Sequence, residues 1–442
     1  MPHQNTSAAL SLHHSGSEIV TIEGAGSSTL PRRGSGQGLD RVLQLTELLA
    51  ELVHPDHAID RLAYRKALEA RAPNTVKALA SDLACYAAFC RTEIGVGLPA
   101  SESRVVAYLE HLEGLGRKPA TVSRRLASLA MVHALLGVGS PTLASVVRDA
   151  MRGLRRRMGV RQRQAGALRF GPGIDAALAL DGAEAARADG RADRARRKAF
   201  TLTALLAACD TDPPGLRDAA LLSLGYDTGL RVSELLRVEV AHIAPSEAEN
   251  SAGTLFVPIS KTDQHGEGAL AWISPDTMRR VAAWLEVTDI RTGPIFRRVA
   301  VRRTKARAAT RPVRVEALAP NARLTRERMY GRSAVPAKAT YAIGDVALTP
   351  AAVRSILKRT ALRAADLGLV DLYGSALDDA IARLSTHSLR VGLTQDLFAN
   401  GEDAGPIAQA LRWNSTATAL RYGRELAPES NATARMLKNV RQ

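Results

Sequence analysis

The chain has 442 residues, room for two or three domains with their own cores, and at 46% hydrophobic against 24% charged it is expected to be largely globular. No apolar run approaches bilayer length, and the first 40 residues lack the basic start and apolar block of a secretory signal. A net charge of +16 points to a polyanionic partner, most commonly nucleic acid, although an arginine-rich solvated surface carries the same sum.

Residues 1–38 are small and polar, closing with Arg32-Arg33-Gly34-Ser35-Gly36, and read as a disordered tail. A first helix is expected from Leu39 to Val53, with Val42, Leu45, Leu49 and Leu52 on one face. Asn74-Thr75 caps a stronger one with Val76, Leu79, Leu83, Tyr86 and Cys90 apolar. Ser101 opens another through Val106, Leu109 and Leu112, Pro119 starts the next, and a last one runs from about Thr142 to Met158. Its end carries Arg152, Arg155, Arg156 and Arg157, so residues 39–160 read as an all-helical, DNA-gripping unit with a basic rim. Cys85, Cys90 and Cys209 show no metal-ligand spacing and fit free thiols in a reduced, cytoplasmic compartment.

Residues 161–198 are dominated by Gly, Ala, Asp and Arg, with a basic run from Arg187 to Lys198, and read as an exposed linker. Order resumes at Phe200, with helices through Leu206, from Asp218 to Tyr226 and from near Val232. Thr254–Ile259 and Ala269–Ile273 alternate as a hairpin with Lys261 in its tip, and Thr277–Glu286 is helical. Residues 301–338 hold eleven Lys/Arg against two acids with little periodicity, as a basic insertion would. Helices resume at Thr349 and break at Asn400-Gly401 and around Trp413. The fold class expected is mainly α with a small antiparallel β-hairpin or sheet.

The chemistry concentrates in Thr386-His387-Ser388-Leu389-Arg390, followed by Trp413 and Tyr422, with Arg231 and Lys261 upstream. Attack on a phosphodiester builds negative charge on non-bridging oxygens, and arginines offer forked donors already placed to meet it. His387 and Arg390, three residues apart, share one helical face. A free phenol has a pKa near 10, so phenolate at neutral pH costs roughly 4 kcal/mol, which adjacent cations are expected to offset. Singly, each residue has a bland reading: Arg231 as a surface side chain capped by Glu234, Lys261 as a solvated turn residue, Tyr422 as a half-buried aromatic. His265 is a weaker neighbour of Lys261.

Four stretches in order carry a resemblance. Thr75 through Phe89-Cys90, Tyr226-Asp227-Thr228-Gly229-Leu230-Arg231-Val232-Ser233-Glu234-Leu235, His387-Ser388-Leu389-Arg390-Val391-Gly392, and Trp413 through Tyr422-Gly423-Arg424-Glu425-Leu426 resemble the tyrosine recombinase (phage integrase) family, most closely its Cre-type site-specific recombinases. The resemblance implies a helical core-binding domain and a catalytic domain (199–442) forming a C-shaped clamp on duplex DNA. It implies cleavage and rejoining through a 3′-phosphotyrosine by Tyr422, with Arg231, His387, Arg390 and Trp413 around the phosphate. Lys261 is the implied general acid and Glu234 the acidic position that orients the histidine. No cofactor, ATP or metal is implied. The partners implied are inverted-repeat target sites and a homotetramer on two sites, each protomer lending a last helix, here Ala432–Val440, to its neighbour; a bacterial cytoplasmic, nucleoid-associated location follows. Trp413 replaces the second histidine of many members, as in Cre-type ones, while Arg412 stands where glycine is usual and leaves the local turn open. A type IB topoisomerase, or a non-catalytic architectural DNA binder, are the other readings of the same charge and helices.

Overall fold

The computed structural model describes residues 18–23, 37–57, 60–92, 97–160, 164–171, 199–246, 251–259, 267–314, 321, 323, 325–423, 433 and 436–437. Glu18–Glu23 forms a strand, β1, inside the segment expected to be a disordered tail. It belongs to the second of two compact units, which comprises Met1–Leu30 and Ala165–Gln442, while Pro31–Gln164 makes the first.

The first unit is helical: α1 (Gln37–Leu52), α2 (Arg61–Glu69), α3 (Pro73–Thr92), α4 (Glu102–Gly114), α5 (Pro119–Leu135) and α6 (Ser145–Met158). The apolar stripes converge, with Leu45, Leu49, Leu83, Tyr86, Val105, Tyr108, Leu112, Val122 and Val147 all buried. Helix α2 was not anticipated, because only Tyr64 and Leu68 give it an apolar face; Asp60 caps it by accepting from the Leu62 and Ala63 N–H groups. Helix α6 buries Val147, Met151 and Leu154, leaving Arg148, Arg152, Arg155, Arg156 and Arg157 exposed. A buried Asp82 on α3 ties down α5 by accepting from Arg124 at 2.7 Å and Ser128 at 2.8 Å.

The second unit is built on α8 (Pro213–Thr228), preceded by α7 (Leu202–Ala207) and followed by α9 (Val232–Leu235). Pro213 pre-sets the first turn of α8 and Asp212 caps it, and the helix is buried on all sides, so its apolar residues need no single face. Strands β2 (Ile243–Pro245), β3 (Gly253–Val257) and β4 (Ala269–Ile273) form an antiparallel sheet beside it. Helix α10 (Pro275–Thr288) buries Trp284, whose indole N–H donates to the Ile295 carbonyl at 2.9 Å.

The basic insertion is not irregular. Strand β5 (Arg297–Thr304) pairs antiparallel with β6 (Ala337–Ala347), and the bridges Arg307–Val335 and Thr310–Arg332 prolong the two-stranded ribbon past them. The short α11 (Arg326–Tyr330) lies between the strands in sequence, and β1 runs parallel to the far side of β6. The alternation that would have revealed β5 is masked by arginine, which is polar on both faces. Helices α12 (Pro350–Asp366), α13 (Gly374–Arg383), α14 (Ser388–Ala399), α15 (Ala404–Ala410) and α16 (Thr416–Gly423) complete the unit.

The linker expectation needs correcting at its edges. Residues 172–198 lie outside the described residues, but 164–171 are not an exposed tether: Leu168 is fully buried and its N–H donates to the Ser388 carbonyl at 3.0 Å. A Cβ at Gly392 would overlap the Leu168 carbonyl, so α14 accepts this segment only because position 392 has no side chain. Gly392→Ala is expected to destabilise this unit by about 3 kcal/mol through forced backbone displacement, read as a lower thermal midpoint. Among the described residues no helix is long and apolar enough to cross a membrane. The expected exchange helix, Ala432–Val440, falls largely outside them.

Candidate active site

Helix α8 ends at Gly229, whose φ of +54° and close approach to Leu411 leave no space for a Cβ. The chain then turns so that Arg231, in extended conformation, becomes the N-cap of α9. Glu234 accepts the Arg231 backbone N–H at 3.0 Å and its guanidinium at 2.9 Å, which pins the side chain while leaving it 25% exposed. From the other side, α14 brings Arg390, almost fully buried, with Nη1 on the Gly229 carbonyl at 2.7 Å and Nη2 on the Leu411 carbonyl at 2.6 Å. Its Nε is buried and has no partner among the described residues.

His387 is the N-cap of α14, and its Nε2 lies 2.5 Å from the Tyr422 hydroxyl of α16. The Tyr422 ring stacks on Trp413, centroids 5.1 Å apart and planes 9° from parallel, and the Arg390 guanidinium carbon sits 4.9 Å from the Trp413 ring centroid. Arg231, His387, Arg390, Trp413 and Tyr422 are thus brought together, and Glu234 joins them through Arg231. Lys261 and His265 lie outside the described residues.

Burial and crowding set the charge states. Burial, then Arg390 and Arg231, push the His387 pKa down to about 4, so the ring is neutral at pH 7 and available as an acceptor. Burial and Arg231 lower Arg390 to about 10, still cationic. Tyr422 is raised, because burial outweighs the opposing pull of Arg390, Arg231 and Arg421. The expected offset of the phenolate cost by neighbouring cations is therefore not met in the DNA-free chain. A cluster of guanidiniums balanced by the Glu234 carboxylate favours an incoming anion, and a bound phosphodiester would relieve the repulsion that depresses His387.

Because His387 binds its proton more weakly when folded, its contribution to stability is complete above its unfolded pKa near 6.5 and is lost as pH falls toward 4. The loss is on the order of 2–3 kcal/mol. His387→Gln is expected to flatten the thermal midpoint against pH across that window, measured without DNA.

No family model matches the chain. The chain is 28% identical over 244 residues to an integrase/recombinase XerD homologue of Selenomonas ruminantium, covering 53% of this chain and 62% of that protein, less than two thirds of its length. It is 24% identical over 377 residues to the recombinase Cre of Escherichia phage P1, covering 84% of this chain and 90% of Cre. The chain is thus similar in sequence to tyrosine recombinases. Solved structures similar to this chain include XerH bound to a palindromic difH substrate in a post-cleavage complex (TM-score 0.45, 12% identity, 88% of this chain and 94% of that one). Another is the Tn1549 transposon integrase in complex with transposon right end DNA (TM-score 0.46, 13% identity, 89% and 99%).

Two further positions bear on the site. Arg412, where glycine was expected, adopts φ +54° and so takes the left-handed turn itself. Its guanidinium donates to the Thr228 carbonyl at 2.8 Å, close enough to the cluster that Arg231 lowers its pKa further after burial. Sequence reasoning treated Arg412 as a departure rather than a site residue; its occupation of the glycine slot was the available signal. Glu234, expected to orient His387, makes its hydrogen bonds above with Arg231.

Proposed function

We propose that the chain is a site-specific DNA recombinase that cleaves and rejoins duplex DNA through a 3′-phosphotyrosine. The observation that carries this is the Tyr422 hydroxyl, 2.5 Å from a His387 nitrogen held neutral, in a site otherwise rich in arginine. In the forward step the Tyr422 oxygen bonds to phosphorus and the bond from phosphorus to the 5′-oxygen breaks. The phenol proton passes to His387, and Arg390 and Arg231 hold the non-bridging oxygens as charge builds. A free 5′-hydroxyl is released, with Lys261 as the proposed proton donor to it. Attack on the phosphotyrosine by a 5′-hydroxyl from a second duplex reverses the step, exchanging strands. One phosphoester replaces another, so the bond energy is conserved and the reaction needs no ATP.

The helical unit, with the exposed arginines of α6, is proposed to grip the duplex together with the catalytic unit, on inverted-repeat sites bound by a homotetramer. The protein would act in the cytoplasm on nucleoid DNA.

The test uses a nicked duplex carrying the site recovered by selecting bound DNA from a random library. Cleavage next to the nick lets a short strand diffuse away, trapping the covalent complex. Wild-type protein is expected to leave a DNA-linked band that survives denaturation. Absence of that band sinks the proposal, and equal cleavage of every sequence would favour a topoisomerase.

A further inference from the structure

On the side of α14 away from Arg390, the chain entering the second unit forms a strap. Gly166 N–H donates to the Arg383 carbonyl at 2.9 Å, and Leu168 N–H to Ser388 at 3.0 Å. The strap's outer edge is held by Leu202 N–H on the Arg169 carbonyl at 2.7 Å and Thr203 N–H on Phe170 at 3.1 Å. At about 100° per residue, Gly392 and Asp396 share one face of α14, and Gly392 lies about 200° around from Arg390. The strap covers the Gly392 and Asp396 face; the opposite face carries the site.

Asp396 is 3% exposed at its side chain and carries three bonds from two other elements. It accepts from the Arg169 guanidinium, from Phe170 N–H at 2.7 Å and from the Tyr226 hydroxyl at 2.5 Å. Tyr226 stands in the last turn of α8, which leads through Gly229 to Arg231. The carboxylate therefore joins the two elements that present the two arginines, from behind, while the Arg390 bond to the Gly229 carbonyl joins them from the front. Neither Asp396 nor Tyr226 is placed to touch the phosphate.

We infer that Asp396, latched by Arg169, Phe170 and Tyr226, is a positioning residue that fixes α14 against α8 and so sets the spacing of Arg231, His387 and Arg390 for the cleavage step. Burying a carboxylate is costly unless its donors are complete, and three donors from two elements make the latch rigid rather than merely stabilising. The inference rests on the recombinase reading above.

Single-turnover cleavage of the nicked duplex tests it, because the rate constant reports geometry while the amplitude reports the folded fraction. Asp396→Asn is expected to lower the rate constant on the order of tenfold to a hundredfold, with amplitude and half-saturating DNA concentration unchanged. The double variant Arg169→Met, Asp396→Asn leaves no unpaired buried ion, and is expected to regain thermal stability while cleaving slowly. Tyr226→Phe, which deletes only a hydroxyl and keeps the packed ring, is expected to be several-fold slower, and covers the case in which Asp396→Asn fails to fold. A wild-type rate constant in Asp396→Asn or Tyr226→Phe, or recovery of rate along with stability in the double variant, overturns the inference while leaving the recombinase reading intact. Failure of the wild type to form the covalent complex overturns both.

Discussion

Tyr422→Phe is expected to abolish covalent joining to DNA, lowering cleavage by at least about 10⁴-fold, because the proposed attacking oxygen is gone. Binding should stay within about twofold, since the phenyl ring keeps its stack on Trp413. The measurement is paired: a mobility shift for affinity and the nicked-duplex trap for chemistry. A covalent band from the Phe variant would place the nucleophile elsewhere. The same geometry explains why the wild-type phenol does not ionise at rest. Burial raises Tyr422 above its ordinary value, so free phenolate at pH 7 would cost more than the roughly 4 kcal/mol of an exposed tyrosine. On the proposed mechanism, proton transfer to His387 accompanies attack, along the 2.5 Å separation of its Nε2 from the Tyr422 hydroxyl.

Arg390→Lys is expected to slow cleavage by about 10² to 10³-fold, the scale of losing a preorganised donor to a developing oxyanion. Three consequences combine. A lysine cannot fork onto the Gly229 and Leu411 carbonyls, and each buried carbonyl left unpaired costs about 1–3 kcal/mol. It loses the planar contact with Trp413. Most importantly, burial and Arg231 already depress even the arginine to about 10; an ammonium, which starts lower and is more strongly hydrated, would surrender its charge. The rate should accordingly recover partly as pH is lowered, until unfolding intervenes. A Lys variant cleaving as fast as wild type at neutral pH would remove Arg390 from the phosphate's surroundings.

What the sequence determined by itself lies where structure is local or chemistry is concentrated. The stripes Leu45–Leu49 in α1 and Leu109–Leu112 in α4 repeat with the helical period, and one face per helix suffices to specify burial. Arg231, His387, Arg390, Trp413 and Tyr422 could be singled out along the chain as candidates, because few other residue types suit phosphodiester chemistry, and the fold brings them together. The tertiary structure alone decided the rest. Strand β5 was hidden because its arginines erase the alternation, and its pairing partner β6 begins over thirty residues away in sequence. The strap at 166–170 lacks periodicity; it is ordered by the acceptors Arg383, Ser388 and Asp396, more than two hundred residues later, and by the absence of a side chain at Gly392. The sign of the Tyr422 shift could not be read from the chain, since it depends on how much water burial removes against how near the cations stand. Periodicity and residue chemistry are written along the chain, whereas desolvation and long-range pairing exist only once distant segments share a boundary.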